Sequence, residues 1–115
     1  MTDILIVEDN VINAFLLKEV LILRGYEPIV ALSMQEGLSL LKKKNLTFLA
    51  VFVDLTLPDG TGIMLAEKIK KMKKYRKIPL VAVTGADICC KKINNLFSNI
   101  IRKPIDIDIL MKCKI

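Results

Sequence analysis

Short runs of apolar residues alternate along the chain with longer segments in which apolar and polar positions follow a helical period. Five runs are bounded by polar or turn residues: residues 4–7, 28–31, 48–53, 80–83 and 100–101. Uninterrupted apolar runs of this length are typical of strands that are buried on both faces of a parallel sheet. We therefore predict five buried strands, one from each run.

The first segment between the runs has a single apolar stripe of helical spacing. The stripe consists of Val11, Phe15, Leu16, Val20 and Leu23. Gly25 follows it, and glycine readily adopts the left-handed conformation that ends many helices. The pattern predicts a helix that buries this stripe and stops at Gly25.

Four more helices are predicted downstream. Ser33 and Glu36 form a capping-box pair, which opens a second helix that we expect to reach residue 44. A third is expected over residues 61–74 and a fourth, with weaker periodicity, over residues 87–97. The last begins near Asp106, which suits the N-cap position, and is cut short by the end of the chain.

Strand and helix alternate five times, and this pattern predicts a parallel sheet covered by helices on both faces. The expected fold class is α/β, a (βα)5 flavodoxin-like doubly wound parallel sheet with strand order 2-1-3-4-5 and shortened fourth and fifth helices. No linker or shift in composition divides the chain, so residues 1–115 are expected to form a single domain. Ligands of such sheets bind outside the carboxyl ends of the strands.

Chemically active side chains stand at these strand ends. They are Glu8 and Asp9 after the first strand, Asp54 after the third, Thr84 after the fourth and Lys103 after the fifth. Any one of them alone is more often a solvated loop residue, a helix cap or a turn residue. Together, three carboxylates at one sheet edge raise one another's pKa unless a cation is present, and Mg²⁺ prefers oxygen ligands. The coincidence predicts a Mg²⁺-dependent site.

The composition narrows the chemistry of that site. The 115 residues contain no histidine, which excludes an imidazole base, a histidine metal ligand and a phosphohistidine in this chain.

Three cysteines, two of them adjacent at positions 89 and 90, favour free thiols in a cytoplasmic protein. Uncharged runs fall far short of the roughly 20 residues of a membrane span, so no membrane insertion is expected.

Positive charge exceeds negative charge, with 18 Lys and Arg against 12 Asp and Glu and a net charge of +6. More than half of these cations lie in residues 42–44 and 68–77. Both segments close helices that run back from the strand ends, so they are expected at the opposite end of the domain from the candidate site. Lysines at helix C-termini are commonly just solvated, and direct nucleic-acid binding is therefore not expected.

The residues at the strand ends resemble the receiver domain of two-component response regulators, and the resemblance covers essentially the whole chain. That family has an acidic pair after strand one, an acceptor aspartate after strand three, a Thr or Ser after strand four and a Lys-Pro after strand five. The corresponding residues here are Glu8-Asp9, Asp54 within residues 53–60, Thr84 and Lys103-Pro104.

The resemblance implies a role for each of these residues. Asp54 would accept a phosphoryl group from a phosphohistidine of a partner, and Lys103 and Thr84 would bind the phosphoryl oxygens. Mg²⁺ would be held by Asp9, Asp54 and the backbone carbonyl of Thr56, with Glu8 acting through water. The family also implies a cis peptide bond between Lys103 and Pro104.

The implied partners are a sensor histidine kinase or a histidine phosphotransfer protein, and the expected recipient of the signal is an effector protein or a lost C-terminal output domain. The resemblance also implies that the receiver domain itself is not an enzyme and that it assists only its own phosphorylation and dephosphorylation. One departure concerns output: Ile100 stands three residues before Lys103, where the family usually has an aromatic residue. We therefore expect weak or unconventional output coupling.

Two alternatives stay open at this point. A haloacid-dehalogenase-like phosphatase also uses a strand-end Asp followed by a Thr or Ser and a Lys, and residues 51–56 resemble its first motif. However, Thr56 occupies the position of that family's second aspartate. The other alternative is a degenerate receiver that acts only as a protein-interaction module.

Overall fold

Five parallel strands form one sheet in a computed structural model of the chain, which describes residues 3–85 and 91–112. The strands are β1 (Asp3–Val7), β2 (Glu27–Ala31), β3 (Ala50–Asp54), β4 (Leu80–Thr84) and β5 (Asn99–Arg102). Their spatial order is β2-β1-β3-β4-β5 and every neighbouring pair is parallel. This confirms the predicted strand order and the α/β fold class.

Helices cover both faces of the sheet. They are α1 (Val11–Leu23), α2 (Met34–Leu41), α3 (Gly62–Lys70), α4 (Lys91–Leu96) and α5 (Ile107–Lys112). One core cluster lies between the sheet and α2, α3 and α4, and a second lies between the sheet and α1 and α5. Alternate residues of β1 supply the two cores, because successive side chains of a strand point to opposite faces.

The prediction that all five strands are buried on both faces is correct for the three central strands only. Every residue of β3 and β4 is buried, whereas β2 and β5 are largely half-buried or exposed. The two partly exposed strands are the edges of the sheet, where a strand has a neighbour on one side only. The apolar runs in the sequence do not distinguish an edge strand from a central one.

The predicted buried stripe of α1 is correct at Val20 and wrong at Val11, Phe15 and Leu23. The helix buries Ala14, Leu17, Val20 and Leu21, while Val11, Phe15 and Leu23 are exposed. Apolar residues surround most of this helix, so their spacing does not select one face. Its C-terminal end is as predicted, because Gly25 has a φ of 89° just after the helix. At its start, the Asn10 side chain accepts a hydrogen bond from the Asn13 N–H.

Two other helices end earlier than predicted. Helix α2 stops at Leu41 instead of residue 44, and α3 stops at Lys70 and is followed by a short 3-10 helix, Lys73–Tyr75. Tyr75 explains the second break because its ring is 1% exposed and packs against Phe48, with ring centroids 6.3 Å apart. Placing that ring in the core takes the chain out of the helix before residue 74.

The predicted caps are present. The Ser33 hydroxyl accepts a hydrogen bond from the Glu36 N–H at 3.1 Å, and Asp106 accepts one from the Asp108 N–H at 2.9 Å. Helix α4 was predicted from residue 87, which lies outside the described residues, as do all three cysteines. In the part of the chain that is described, no helix has the length and apolar character needed to cross a bilayer.

Candidate functional site

Three carboxylates meet at the carboxyl edge of the sheet. Glu8 and Asp9 follow β1, Asp54 ends β3, and these strands are neighbours with Val7 opposite Val53. One carboxylate oxygen from each acid lies within 4.8 Å of those of the other two. Glu8 is fully buried and Asp54 nearly so, while Asp9 is exposed. The structure thus brings together the three acids that the sequence singled out.

Lys103 reaches into this cluster from β5. Its Nζ lies 2.9 Å from Glu8 Oε1 and 3.0 Å from Asp54 Oδ2. The backbone fixes where the lysine starts, because the Lys103 N–H donates to the Thr84 carbonyl at 2.8 Å. The peptide bond between Lys103 and Pro104 is cis, as predicted. One ammonium group therefore bridges two buried carboxylates that come from different strands.

Thr84 and Thr56 occupy the rim of the same cluster. Thr84 ends β4, next to β3, and is 5% exposed. The Thr56 N–H donates to Asp54 Oδ1 at 3.0 Å, and the Thr56 side chain is exposed. The two oxygens of Asp54 are therefore held separately, Oδ1 by the Thr56 backbone and Oδ2 by Lys103.

The pKa values of the paired acids move apart. Burial, together with the neighbouring Asp54, raises the pKa of Glu8 to about 7. Burial acts in the same direction on Asp54, but hydrogen bonds from Glu8, the Thr56 N–H and Lys103 outweigh it and lower the pKa of Asp54. Burial opposes the charge of Lys103 too, yet the two carboxylates raise its pKa. Asp54 is consequently the anionic member of the pair.

The residues present fit a hard divalent cation. Glu8 Oε1 is buried and contacts the Lys103 ammonium at 2.9 Å as an ion pair. The exposed Asp9 opens the cluster to solvent. A buried acceptor with spare capacity beside two further carboxylates is the donor set that Mg²⁺ prefers.

Asp59 supports the site, and the sequence analysis assigned it no separate role. Its two carboxylate oxygens accept hydrogen bonds from the Met34 N–H at 2.8 Å and the Gln35 N–H at 2.9 Å, at the start of α2. These two bonds lower the pKa of Asp59. They tie the loop after Asp54 to α2, and local sequence gives no signal of a contact that spans 25 residues.

Gly62 is the second supporting residue that the sequence analysis missed. A Cβ atom at this position would lie 2.5 Å from the Asp54 carbonyl oxygen and 2.8 Å from Leu55 Cα. Both are backbone atoms, which cannot move away as the end of a flexible side chain can. The absence of a side chain lets α3 begin directly against the end of β3, and the Gly62 N–H donates to the Leu55 carbonyl at 3.1 Å.

Comparison with known proteins places this arrangement in a family. Residues 4–113 match the family model of the response regulator receiver domain. The chain is 33% identical over 90 residues to stress response regulator protein 1 of Debaryomyces hansenii, a match that covers 77% of this chain and 37% of that protein. It is 32% identical over 82 residues to the polar-differentiation response regulator DivK of Brucella ovis, covering 71% of this chain and 65% of DivK. The chain thus spans less than two thirds of the length of either relative.

A solved structure agrees with these sequence matches. The CheY-like response regulator receiver domain from Methylobacillus flagellatus superposes with a TM-score of 0.85 at 31% identity, covering 97% of this chain and 94% of that one. The family match, the sheet order and the group of acids and lysine at the carboxyl edge agree with one another. The chain belongs to the receiver domains of two-component response regulators.

Proposed function

We propose that Asp54 is the phosphoacceptor of this receiver domain and that its phosphorylation depends on Mg²⁺. The observation that carries the proposal is the pairing of Asp54 with Lys103 at 3.0 Å beside the buried Glu8. It gives one carboxylate a lowered pKa, a fixed orientation and a neighbouring cation. We also propose that residues 1–115 act as a single domain in this reaction.

The chemistry assigned to Asp54 is nucleophilic attack. Its anionic carboxylate forms an O–P bond to the donor's phosphorus, and the P–N bond of the phosphohistidine breaks, with the electron pair leaving on the imidazole. The Thr56 N–H holds one oxygen of Asp54 in place during the attack. Lys103, freed from Asp54 by the transfer, is placed to bind a phosphoryl oxygen, and Thr84 is the nearby hydroxyl donor.

Mg²⁺ would be held by Asp9, Asp54 and the Thr56 backbone carbonyl, with Glu8 acting through water. When bound, the ion supplies positive charge that offsets the charge on the phosphoryl oxygens. The chain's own contribution is to keep the acids within reach of one another and to keep Glu8 out of bulk solvent.

A phosphohistidine donor has to lie outside these 115 residues, because they contain no histidine. We propose a sensor histidine kinase or a histidine phosphotransfer protein, with an effector protein as the recipient of the signal and the cytoplasm as the compartment. Val11, Ile12 and Phe15 form an exposed apolar face on the first turns of α1. The Asn10 N–H, at the start of that helix, donates to Glu8 Oε2 at 3.3 Å. An apolar face so close to the acids is suited to docking the donor.

The phosphatase alternative is not favoured, because the family match is to receivers and Thr56 stands in place of a second acid. The degenerate-receiver alternative predicts a damaged site, whereas the acidic pair, Asp54, Thr84 and Lys103 are all present at one edge.

Intact-mass analysis after incubation with acetyl phosphate tests the proposal. We expect one added phosphoryl group in the presence of Mg²⁺, little in excess EDTA and none in Asp54→Asn. Asp108→Asn is the matched control, since Asp108 is an exposed aspartate on α5, and it should be labelled like the wild type. Labelling that persists in Asp54→Asn, or full labelling in EDTA, would show that Asp54 is not the Mg²⁺-dependent acceptor.

A further inference from the structure

The exposed cations of residues 42–44 and 71–77 lie in two segments at the amino end of the sheet, which together we call the basic end. Its members are Lys42, Lys43, Lys44, Lys71, Lys73, Lys74, Arg76 and Lys77, all of them exposed. The Lys74 ammonium donates to the carbonyl of Leu46, two residues beyond Lys44. This contact joins two segments that are far apart in sequence into one patch.

The basic end lies opposite the acidic site. Residue 46 leads into the start of β3 at Ala50, and residue 77 leads into the start of β4 at Leu80, whereas Asp54 and Thr84 are the last residues of the same strands. Five-residue strands separate the two ends by about 13 Å. A partner bound at the basic end would leave the acceptor edge uncovered.

The cations of the basic end outnumber the acids around them, of which Glu67, on α3, stands one helical turn before Lys71. Asp3 and Glu27 begin β1 and β2, the two strands on the far side of β3 from β4. The positive charge is therefore concentrated on the half formed by the starts of β3 and β4 and by the ends of α2 and α3. Charge of one sign on one face creates a field that draws a polyanionic partner.

The side chains of this surface are suited to a diffuse anionic plane and not to base recognition. Seven of the eight cations are lysines, which act as hydrated point charges on long flexible stems. Tyr75, which could otherwise stack on a base, is 1% exposed. The chain also presents an exposed apolar residue at the same end, Leu49, just before β3.

Backbone groups at this end point to the same conclusion. Helices α2 and α3 finish here, and helix C-termini carry partial negative charge that disfavours close contact between backbone and phosphate. Lys70, on the last turn of α3, turns inward and donates to the carbonyls of Arg76 and Ile78. The exposed lysine stems, which extend beyond the backbone, are left to make the contact.

We propose that the basic end docks this domain on a membrane surface rich in anionic phospholipid, with the acceptor edge facing away from the bilayer. The attraction needs no shape match, because juxtaposed lysines and anionic headgroups interact through their summed charge. It does not depend on phosphorylation of Asp54, so it stands or falls separately from the proposed function.

Vesicle sedimentation of the full chain tests this proposal. We expect binding to vesicles of equal parts phosphatidylcholine and phosphatidylglycerol, weak or no binding to pure phosphatidylcholine, and loss of binding as salt is raised. Lys43→Gln/Lys73→Gln should weaken binding by roughly tenfold or more, because each lysine near the surface contributes on the order of fivefold. Both lysines are exposed, so circular dichroism should show an unchanged fold.

The control removes the same charge elsewhere. Lys18→Gln/Arg102→Gln changes α1 and the carboxyl end of β5, and it should bind nearly as well as the wild type. Equal losses in the two double variants would mean that net charge alone drives binding and would overturn the proposal. Equal binding to neutral vesicles, or tighter binding to a double-stranded DNA fragment than to anionic vesicles at the same salt, would overturn it as well.

Discussion

The two ends of the sheet carry charged residues of opposite sign, and these residues are buried and paired at one end but exposed at the other. At the carboxyl end, Glu8 and Asp54 are buried and share one ammonium group at 2.9 and 3.0 Å. At the basic end, eight cations, seven of them lysines like Lys103, are exposed to solvent. Each buried charge has a defined partner and a shifted pKa. The exposed cations instead act together, through the summed field of their charges. The first arrangement is suited to chemistry and the second to attraction.

The largest difference between the two ends is expected in the free energy of unfolding when a glycine is replaced by alanine. Gly62→Ala places a Cβ 2.5 Å from the Asp54 carbonyl oxygen, so α3 has to shift away from β3. We expect a loss of about 2–3 kcal/mol in the free energy of unfolding, measured by urea denaturation. Gly25→Ala, at the amino end, meets no atom within 4 Å and suffers only from its φ of +89°, at about 1 kcal/mol. A Gly62→Ala loss no larger than that of Gly25→Ala would contradict the close approach.

The second-largest difference between the two ends is expected in the free energy of unfolding when a lysine is replaced by methionine. Lys103→Met leaves Glu8 and Asp54 buried without their cation, and we expect a loss of about 2 kcal/mol in metal-free buffer at about pH 8. Lys73→Met, at the basic end, removes an exposed charge and should change stability by less than about 0.5 kcal/mol. Equal effects in urea denaturation would mean that the Lys103 pairs contribute no more than a solvated lysine does.

We expect the stability of the fold to depend on pH through Glu8, an effect that has no counterpart at the basic end. Its pKa in the folded chain, about 7, lies above the ordinary value of 4.5, so the folded state holds this proton more tightly than the unfolded state does. Stability in EDTA should therefore fall as pH rises from about 5 to 7.5, by on the order of 1 kcal/mol. Glu8→Gln should remove this slope. A wild-type profile that stays flat or rises over this range would contradict the raised pKa.

The smallest effect is expected at Asp59. Asp59→Asn removes the charge and one of the two acceptor oxygens that cap the start of α2, so the Met34 and Gln35 amides should exchange hydrogen faster. Asp108→Asn changes an exposed aspartate on another helix and should leave both amides unaffected. Unchanged exchange in Asp59→Asn would show that the carboxylate does not hold α2 to the loop after Asp54.

The fold and the acidic site were predictable for the same physical reason. Parallel strands bring their carboxyl ends to one edge, so residues far apart in sequence, such as Glu8, Asp54 and Lys103, fall together once the strand order is inferred. The buried face of α1 was not predictable, because the helix is apolar on most sides and the choice depends on how it packs. The end of α3 was not predictable either, since it depends on the ring of Tyr75 packing on Phe48.

The supporting residues of the site show the same limit. Asp59 and Gly62 act through contacts with Met34, Gln35 and the backbone of Asp54, which only the folded chain brings near. Glu8 was expected to act on a metal through water, and that role stays a prediction. The full burial of Glu8 and its pKa of about 7 came from the structure, because no pattern in the sequence measures how deeply an acid is covered.

Reductive trapping of the phosphorylated chain tests the central claim most directly. An acyl phosphate on an aspartate is reduced by borohydride to an alcohol, and peptide mapping then identifies the carboxylate that carried the phosphoryl group. After incubation with acetyl phosphate and Mg²⁺, the account predicts the alcohol at position 54 alone. The alcohol at Asp9 or Asp59, or no alcohol in a chain that has gained a phosphoryl group, would contradict it.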